Sequence, residues 1–311
     1  MYKIISIIMM IILVLMSVAF LTLLERSILS YIQNRTGPMK VGLLGYLQPF
    51  SDAVKLFKKE LIILDMSNIF FYFISPLIML LIVLMSWLIY PWFMNIYSLK
   101  FNILYFIACM MLNIYPLIYS GWSSGCHYSM LGAVRAVAQM ISYEVSFMIL
   151  IMNMVILTES FNLKDFHIYQ ENTFMFMIIM FPIFIMYFLS ILVELNRTPF
   201  DLVEGESELV SGFNTEYFSS LFALIFMSEY SSILFMSMIM VLIFTGKGLN
   251  SLYFYLFYLL FIYLILIIRG VTPRMRYDKM MMMCWKIILP ISLSHFLLIY
   301  GIKMLIMSLI Y

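Results

Sequence analysis

Eight apolar runs, each about twenty residues long, dominate this sequence and restrict the fold that it can adopt. The hydrocarbon core of a bilayer is about 30 Å thick, a distance that an α-helix of roughly 20 residues crosses. None of the runs shows the residue alternation of a transmembrane β-strand. We therefore predict a single all-α, polytopic membrane domain over residues 1–311, with eight transmembrane helices. The predicted spans are residues 4–24, 69–90, 101–120, 136–157, 173–193, 217–244, 251–268 and 287–310.

The composition agrees with a membrane protein. Hydrophobic residues make up 65% of the chain and charged residues 11%, whereas soluble domains average about 45–50% apolar and about 25% charged residues. Membrane lipid is therefore a predicted partner. The net charge is only +2, and no basic run is interleaved with aromatic residues, so we expect no binding to nucleic acid.

Motifs for metals, clusters and nucleotides are missing from the sequence. The three cysteines are far apart, without the close spacing that iron–sulfur or zinc ligands usually have. The three histidines form no HxxxH pair, and no glycine-rich phosphate-binding motif occurs. We expect this chain to bind no metal, flavin or iron–sulfur cluster. The cysteines and histidines are Cys109, Cys126, Cys284, His127, His167 and His295.

The distribution of basic residues predicts the orientation of the chain. Of the 18 Lys and Arg residues, five fall on one side of the predicted spans and thirteen on the other. The side with more Lys and Arg is normally the inner one. Both termini are therefore predicted to face outward, and the long loops 25–68 and 194–216 are predicted to be structured and to face inward.

A short amphipathic segment over residues 51–60 lies in the first inner loop. Ser51 can cap its N-terminus, while Val54 and Phe57 fall on one helical face and Lys55 on another. The pattern predicts an interfacial helix that lies along the membrane surface. A membrane anchor without any part in the chemistry explains most of its residues equally well.

The second inner loop, residues 194–216, concentrates acidic side chains. It holds six of the sixteen carboxylates of the chain, accompanied by a single cation, Arg197. A loop shaped only by topology is normally short and basic on the inner side. We interpret the excess of acid as a sign that the loop handles protons or charge. The six are Glu194, Asp201, Glu204, Glu206, Glu208 and Glu216.

Two glutamates lie near the centres of predicted spans, Glu144 in the fourth and Glu229 in the sixth. An acidic residue at the centre of a membrane helix costs roughly 2.5–3.5 kcal/mol on insertion scales. Such a cost is retained where the group has a partner, a water-filled cavity or a function. A protonated, hydrogen-bonded structural role remains open for each, but two such residues together with the acidic loop favour a proton relay.

Several stretches of the sequence are specific enough to indicate a family. They are Glu25-Arg26, residues 35–38 (RTGP), 42–56 (GLLGYLQPFSDAVKL), 132–144 (GAVRAVAQMISYE), 194–217 (ELNRTPFDLVEGESELVSGFNTEY) and 273–278 (PRMRYD). In these stretches the chain resembles subunit 1 of mitochondrial NADH:ubiquinone oxidoreductase, respiratory complex I. The resemblance runs from the first span to the eighth.

The resemblance implies a function at the junction between two arms of an enzyme. In this family the inner loops surround a quinone chamber, and a line of carboxylates leads from it towards proton-pumping subunits. The chain is implied to be a subunit of the enzyme without a complete active site of its own. Quinone-path roles are implied for Arg26, Arg35, Asp52, Phe226, Met227 and Arg269. An acidic relay is implied for Glu144, Glu194, Glu204, Glu206 and Glu229, with Glu216 and Tyr217 as loop support.

The same resemblance implies partners and a location. Ubiquinone is the implied substrate, reduced by an iron–sulfur cluster that a partner subunit holds. The implied partners are the quinone-site and terminal-cluster subunits of the hydrophilic arm and neighbouring small membrane subunits. The implied location is the mitochondrial inner membrane, with the termini towards the intermembrane space and the long loops towards the matrix. Thr272 stands where the family often has an aromatic residue, so we do not assign a quinone contact to it.

Two further interpretations fit the residues alone. A secondary cation or proton transporter that works by itself would also place glutamates in broken membrane helices. A scaffold without catalytic function would join parts of an assembly, and its acidic loop would matter for assembly only. Purification distinguishes the transporter from a redox subunit, because a redox subunit co-purifies with partners that carry flavin and iron–sulfur clusters.

Overall fold

The computed structural model describes residues 2–63, 65–90, 99–172, 174–202, 205, 212–248 and 251–310. Within these ranges all regular secondary structure is helical, which confirms the all-α fold. The α-helices are α1 (Tyr2–Ile32), α2 (Gln48–Lys58), α3 (Ile69–Ser86), α4 (Asn102–Leu112), α5 (Ile114–Ser123), α6 (His127–Thr158), α7 (Leu163–Asn172), α8 (Phe176–Ile179), α9 (Phe181–Glu194), α10 (Ser219–Phe244), α11 (Leu252–Val271), α12 (Tyr277–Met283) and α13 (Leu289–Ile310). Short 3₁₀ turns cover Leu43–Gly45, Trp87–Ile89 and Gly212–Asn214, and Cys284–Ile288 is a π-helix.

Seven helical segments in the described part of the chain are long and apolar enough to cross a membrane. They coincide with seven of the eight predicted spans. The remaining predicted span, residues 173–193, contains the two shorter helices α8 and α9. Helix α9 has 14 residues, and at about 1.5 Å per residue it is shorter than a bilayer core. The eighth crossing therefore stays a prediction.

Prolines account for the interruptions of the predicted spans. Proline lacks the N–H that would bond to the carbonyl four residues earlier, and its ring crowds that carbonyl. Pro116 lies in the first turn of α5, directly after the junction with α4, and Pro182 lies in the first turn of α9, after the junction with α8. Pro290 follows the π-helix, whose wider turn absorbs the missing bond. Pro76, in contrast, lies inside the continuous helix α3.

Helices α6 and α10 form the interior of the bundle. Helix α10 contacts α1, α2, α3, α7, α9 and α11, while α6 packs against α5, α9 and α13. Helices α1 and α13 expose many large apolar side chains, as helices that face lipid do. Because lipid is as apolar as leucine, close packing and hydrogen bonds rather than hydrophobicity hold such helices together. The predicted intramembrane residues Glu144 and Glu229 thus lie on the two most enclosed long apolar helices of the described chain.

The predicted interfacial helix is present as α2, but it begins earlier than the sequence suggested. It starts at Gln48, so Ser51 lies inside the helix and the expected Ser51 cap is wrong. Pro49 lies in the first turn, where its fixed φ and missing N–H cost nothing. The apolar face is exposed, with Val54 65% and Phe57 54% accessible. Such a face suits contact with the membrane surface.

Position 45, in the turn before α2, requires glycine. Gly45 has φ +84°, and a Cβ there would lie 2.0 Å from the carbonyl oxygen of Pro38. We expect Gly45→Ala to destabilise the folded loop by about 1–3 kcal/mol, the usual cost of such backbone strain. Thermal unfolding of the assembled complex measures this loss. Gly301→Ala is the matched control, because a Cβ at Gly301 has nothing within 4 Å; equal unfolding temperatures for the two variants would contradict the prediction.

Candidate functional site

A largely buried cluster of charges lies between the C-terminal parts of α1 and α11. Glu25 on α1 is only 3% exposed, and its carboxylate is paired with the guanidinium of Arg269 on α11. The Nη1 atom of Arg197 lies 3.9 Å from the same carboxylate. The guanidinium carbon of Arg197 also stands 4.7 Å from the ring centre of Tyr230 on α10, within the range of a cation–π contact. We call Glu25, Arg197, Arg269 and Tyr230 the inner cluster.

Hydrogen bonds to two separate elements fix the segment that carries Arg197. The side-chain amide of Gln139, fully buried on α6, donates to the carbonyl oxygens of Val193 (2.9 Å) and Phe200 (3.1 Å). The backbone N–H of Met275 donates to the carbonyl oxygen of Pro199 at 2.9 Å. Because these bonds tie the segment to α6 and to the stretch after α11, Arg197 is held on rigid supports.

A second ion pair lies closer to the surface. Arg26, one residue beyond Glu25, places Nη1 2.6 Å from Oδ2 of Asp52 on α2. Gln48 donates to the other oxygen of Asp52 at 3.0 Å. The structure thus brings together two of the predicted quinone-path residues, Arg26 and Asp52. Arg35 lies apart in the exposed turn after α1, where its Nε donates to Gln33.

The two remaining predicted quinone-path residues, Phe226 and Met227, are half-buried on α10. Phe226 belongs to an aromatic row at helical spacing: its ring centre lies 4.3 Å from that of Phe222 and 6.3 Å from that of Tyr230. The last of these rings contacts Arg197. The row therefore leads along α10 into the inner cluster.

An acid-lined cavity adjoins the inner cluster. It has a volume of about 40 Å³, and Glu194, Glu229 and Arg197 line it together with Asn113 and the hydroxyls of two serines on α10. A neighbouring cavity of about 30 Å³ shares Glu194 and Asn113. A buried water needs roughly 10–15 Å³ of such volume and several polar partners. Each cavity is therefore large enough and polar enough for a few water molecules.

Glu144, the third predicted acid, is near enough to act electrostatically on Glu194. Its Oε1 atom is buried and has no hydrogen-bond partner among the residues that the structure describes. Burying a carboxylate oxygen in this way is costly unless a proton or water satisfies it. Glu229 and Glu194 thus share a cavity, and Glu144 acts electrostatically on Glu194; we call these three acids the acid row.

The turn of α6 that carries Glu144 is bonded to the π-helix region. The hydroxyl of Tyr143 donates to the carbonyl oxygen of Met280 at 3.0 Å, and the Cys284 thiol donates to the carbonyl oxygen of Ser142 at 3.2 Å. Tyr143, Met280 and Cys284 are each at most 1% exposed. The two residues directly before Glu144 are thus fixed to a neighbouring helix.

The end of the acidic loop is anchored by aromatic and hydroxyl groups. The ring of Tyr217 stacks on that of Tyr72, with centres 4.6 Å apart, and the Tyr72 hydroxyl donates to the carbonyl oxygen of Glu216 at 2.6 Å. The Tyr217 hydroxyl lies 3.0 Å from Ser75 and 3.3 Å from Ser123. Burial raises the pKa of Tyr217, so the phenol stays protonated. Glu216 takes part in this anchor through its backbone carbonyl oxygen.

Removal of the Tyr217 hydroxyl is expected to loosen this anchor. Tyr217→Phe keeps the stack on Tyr72 but leaves two buried serine hydroxyls without this bond, at a cost of about 1 kcal/mol. The unfolding temperature of the assembled complex should fall accordingly. Tyr128→Phe, at a position 54% exposed, is the matched control. Equal unfolding temperatures for the two variants would refute the anchoring role.

Some residues of the site were not assigned to it from the sequence. Glu25 was visible only as part of a shared stretch, and Arg197 only as the lone cation of the acidic loop. Tyr230 carried no signal beyond its helical spacing from Phe226. Glu204 and Glu206, predicted for the relay, lie outside the described residues. Within the described chain no group of three or more His, Cys, Asp or Glu side chains is arranged to hold a metal ion.

Fold and site together define a class of protein: an all-α, multi-pass membrane protein with a buried charge cluster beside an acid row. The sequence profile of the family described as NADH dehydrogenase matches residues 5–300. NADH-ubiquinone oxidoreductase chain 1 of Apis mellifera ligustica is 48% identical over 303 residues, which cover 97% of this chain and 98% of that protein. The proteins of the same name from Aedes aegypti and Metridium senile are 46% and 41% identical and cover 97% and 95% of the chain, and 96% and 92% of their own lengths. The chain therefore belongs to the NADH-ubiquinone oxidoreductase chain 1 family of respiratory-chain membrane subunits, which confirms the resemblance read from its motifs.

Proposed function

We propose that this chain forms part of a ubiquinone-binding chamber in respiratory complex I and links quinone reduction to proton movement through the acid row. The names of the relatives supply the reaction and the substrate. The position of Arg197 is the observation that carries the link. Its guanidinium belongs to the inner cluster through Glu25, and it also lines the cavity that Glu194 and Glu229 line. One side chain therefore connects the inner ends of the helices with the acids inside the bundle.

On the quinone side, neighbouring elements supply both apolar and charged surface. Helix α2 contacts both α1 and α10, so the Arg26–Asp52 pair and the half-buried Phe226 and Met227 belong to adjacent walls. Phe226 and Met227 offer an apolar surface for a prenylated ring, and Arg269 offers positive charge. In this proposal the partner subunits of the hydrophilic arm hold the iron–sulfur cluster that delivers the electrons, so this chain supplies walls and charge rather than a complete active site.

Electrostatics provides the coupling step. Reduction of a quinone brings negative charge and a demand for protons to the chamber. Charges interact strongly across a low-dielectric interior, so negative charge near Arg269 weakens the hold of both guanidiniums on Glu25. Arg197 then moves either out of the acid-lined cavity towards the chamber or further into the acid-lined cavity. Either displacement changes the proton affinity of Glu194 and Glu229, because a cation within about 4–6 Å favours the ionised carboxylate.

The acid row carries the proton onward. Glu229 and Glu194 line one cavity with room for water, and Glu194 lies within the electrostatic reach of Glu144. Carboxylates linked by water can exchange protons in steps. Glu204 and Glu206 complete this relay in the proposal, and Glu216 and Tyr217 hold the loop in place. The inner face of the chain would then meet the matrix, and both termini would face the intermembrane space of mitochondria.

Neutralising the acid row tests the proposal. We expect Glu144→Gln and Glu229→Gln each to lower quinone-dependent NADH oxidation and the accompanying proton translocation by about tenfold, since glutamine cannot pass a proton on. Assembly of the complex should be retained, because glutamine matches glutamate in size. Reconstituted vesicles with a pH-sensitive dye report both quantities. Glu60→Gln, an exposed acid on the same inner side, is the matched control.

A photoreactive ubiquinone analogue tests the chamber. Crosslinking in the assembled complex followed by peptide mapping should label the segments around Arg26, Asp52 or Phe226, and excess ubiquinone should suppress the labelling. Label confined to other subunits would overturn the chamber assignment. Proton flux from the isolated chain, without flavin- or cluster-carrying partners, would favour the transporter interpretation instead.

A further inference from the structure

A separate pocket lies at the C-terminal end of α10, away from the acid row. It has a volume of about 450 Å³ and opens between the α7–α8 region and the turn that joins α10 to α11. None of its lining residues belongs to the inner cluster or the acid row. A ligand for this pocket therefore has to be argued separately from the proposed function.

Hydrogen bonds hold the polar wall of this pocket in shape. The Nδ1 atom of His167 lies 2.8 Å from the carbonyl oxygen of Gly246, and the Gln170 amide donates to Ile243 at 2.8 Å while accepting from the N–H of Phe176. Gly246 has φ +59°, and a Cβ there would lie 2.1 Å from the Gln170 side chain. The turn is thus closely packed on α7, and the pocket is formed in advance of any ligand.

Charges of both signs line the pocket in the described residues. Lys247 contributes the cation, and its Nζ lies 5.8 Å from the ring centre of Tyr253. Glu171 contributes the carboxylate, which is 59% exposed and lies 3.2 Å from Nε2 of His167. Ser251 also belongs to the lining. A ligand that carries one anionic and one cationic group matches this lining, whereas a purely anionic ligand meets Glu171.

The rim of the pocket is apolar and faces outward. Phe174 is 75% exposed and Ile178 is 69% exposed on one side, and Tyr253 is 63% exposed on the other. Leu252, the neighbour of Tyr253 in sequence, is 80% exposed. These residues lie at the ends of helices α8 and α11, where aromatic and apolar side chains of membrane proteins meet the headgroup level. A molecule bound here with a polar head and apolar tails would place its tails along these side chains.

We infer that this pocket is a binding site for a zwitterionic phospholipid with a primary ammonium group, such as phosphatidylethanolamine. The phosphate pairs with Lys247, the ammonium pairs with Glu171, and the acyl chains lie along Phe174, Ile178 and Leu252. Lys247 and Glu171 stand on separate elements, the α10–α11 turn and α7, which the hydrogen bonds of His167 and Gln170 hold together. The site would secure lipid at the outer end of the bundle.

Crosslinking of the lipid amine to the carboxylate tests this inference. The assembled complex is placed in nanodiscs of phosphatidylcholine with and without phosphatidylethanolamine and treated with a water-soluble carbodiimide. The reagent activates the Glu171 carboxylate, an amide bond forms to the lipid amine, and the carbodiimide takes up the water as a urea. Mass spectrometry should find the lipid adduct on the Glu171 peptide only when the amine lipid is present.

The adduct yields of charge variants distinguish a specific site for this lipid from nonspecific crosslinking. Lys247→Ala should lower the adduct yield about fivefold, the effect of one lysine near a membrane surface, and Lys247→Arg should keep it. Lys100→Ala and Asp165→Asn are the matched controls and should leave the yield unchanged. An unchanged yield in Lys247→Ala overturns the site, as does equally effective competition by phosphatidylglycerol or cardiolipin. Absence of adduct on Glu171 in the wild-type complex overturns it as well.

Discussion

Replacing Arg197 with glutamine is expected to lower quinone-dependent NADH oxidation and proton translocation together by at least about tenfold, a loss of roughly 1.4 kcal/mol of transition-state stabilisation. NADH oxidation with a water-soluble artificial acceptor should be retained, because in the proposed function the electrons enter through partner subunits. The loss of quinone-dependent activity is expected because Arg197 has two positions at once: it lies 3.9 Å from Glu25, and it lines the cavity that Glu194 and Glu229 also line. Without the positive charge of Arg197, a change of charge at the inner cluster no longer alters the electrostatic surroundings of the acid row.

Two variants make this prediction specific. Arg197→Lys keeps the positive charge but loses the planar group that stacks over Tyr230 at 4.7 Å, and lysine is a poor substitute at a stacked site. We expect it to restore part of the coupled activity. Arg276→Gln is the matched control, because that arginine is 77% exposed and pairs only with a neighbouring exposed carboxylate in the described contacts. Equal activity of Arg197→Gln and Arg276→Gln would remove Arg197 from the mechanism.

The fold was largely predictable because the bilayer imposes it. A segment that crosses hydrocarbon must be apolar and about 20 residues long, so seven helical segments are visible in the sequence as long apolar runs. The residues 173–193 were harder to judge, because hydropathy does not register that Pro182 ends one helix and begins another. The start of α2 was misjudged for a related reason. Ser51 is a good cap residue, but Pro49 two residues earlier already fits the first turn.

The candidate site was predictable one residue at a time, but its contacts were not. A glutamate inside an apolar run, such as Glu144 or Glu229, is visible because its cost is high. Glu25 directly follows a predicted span and Arg197 follows another by a few residues, and charges are common at such positions and carry little information. Their importance comes from burial and from a partner far away in the sequence, Arg269. Periodicity within one helix contains no information about such a partner.

Burial, rather than distance, should decide which ion pair of this site matters for stability. The Arg26–Asp52 pair is close, at 2.6 Å, but its side chains are 52% and 35% exposed. Exposed pairs contribute about 0–1 kcal/mol, so we expect Asp52→Asn to have little effect on the amount of assembled complex. Glu25 is 3% exposed and lies between two guanidiniums. Removing one partner of a buried ionic group typically costs about 3–5 kcal/mol.

Glu25→Gln is therefore expected to reduce the assembled complex severely, because the buried Arg197 and the half-buried Arg269 lose the carboxylate that pairs with both of them. A double-mutant cycle identifies the cause. In Glu25→Gln/Arg269→Gln one of the two cations is also removed, and Arg197 keeps its contact with Tyr230. The double variant should then assemble better than Glu25→Gln alone, as measured by the amount and the unfolding temperature of the complex in native gels and thermal scans. If the losses of the two single variants simply add, Glu25 acts through packing and not through charge, and the electrostatic basis of the inner cluster is refuted.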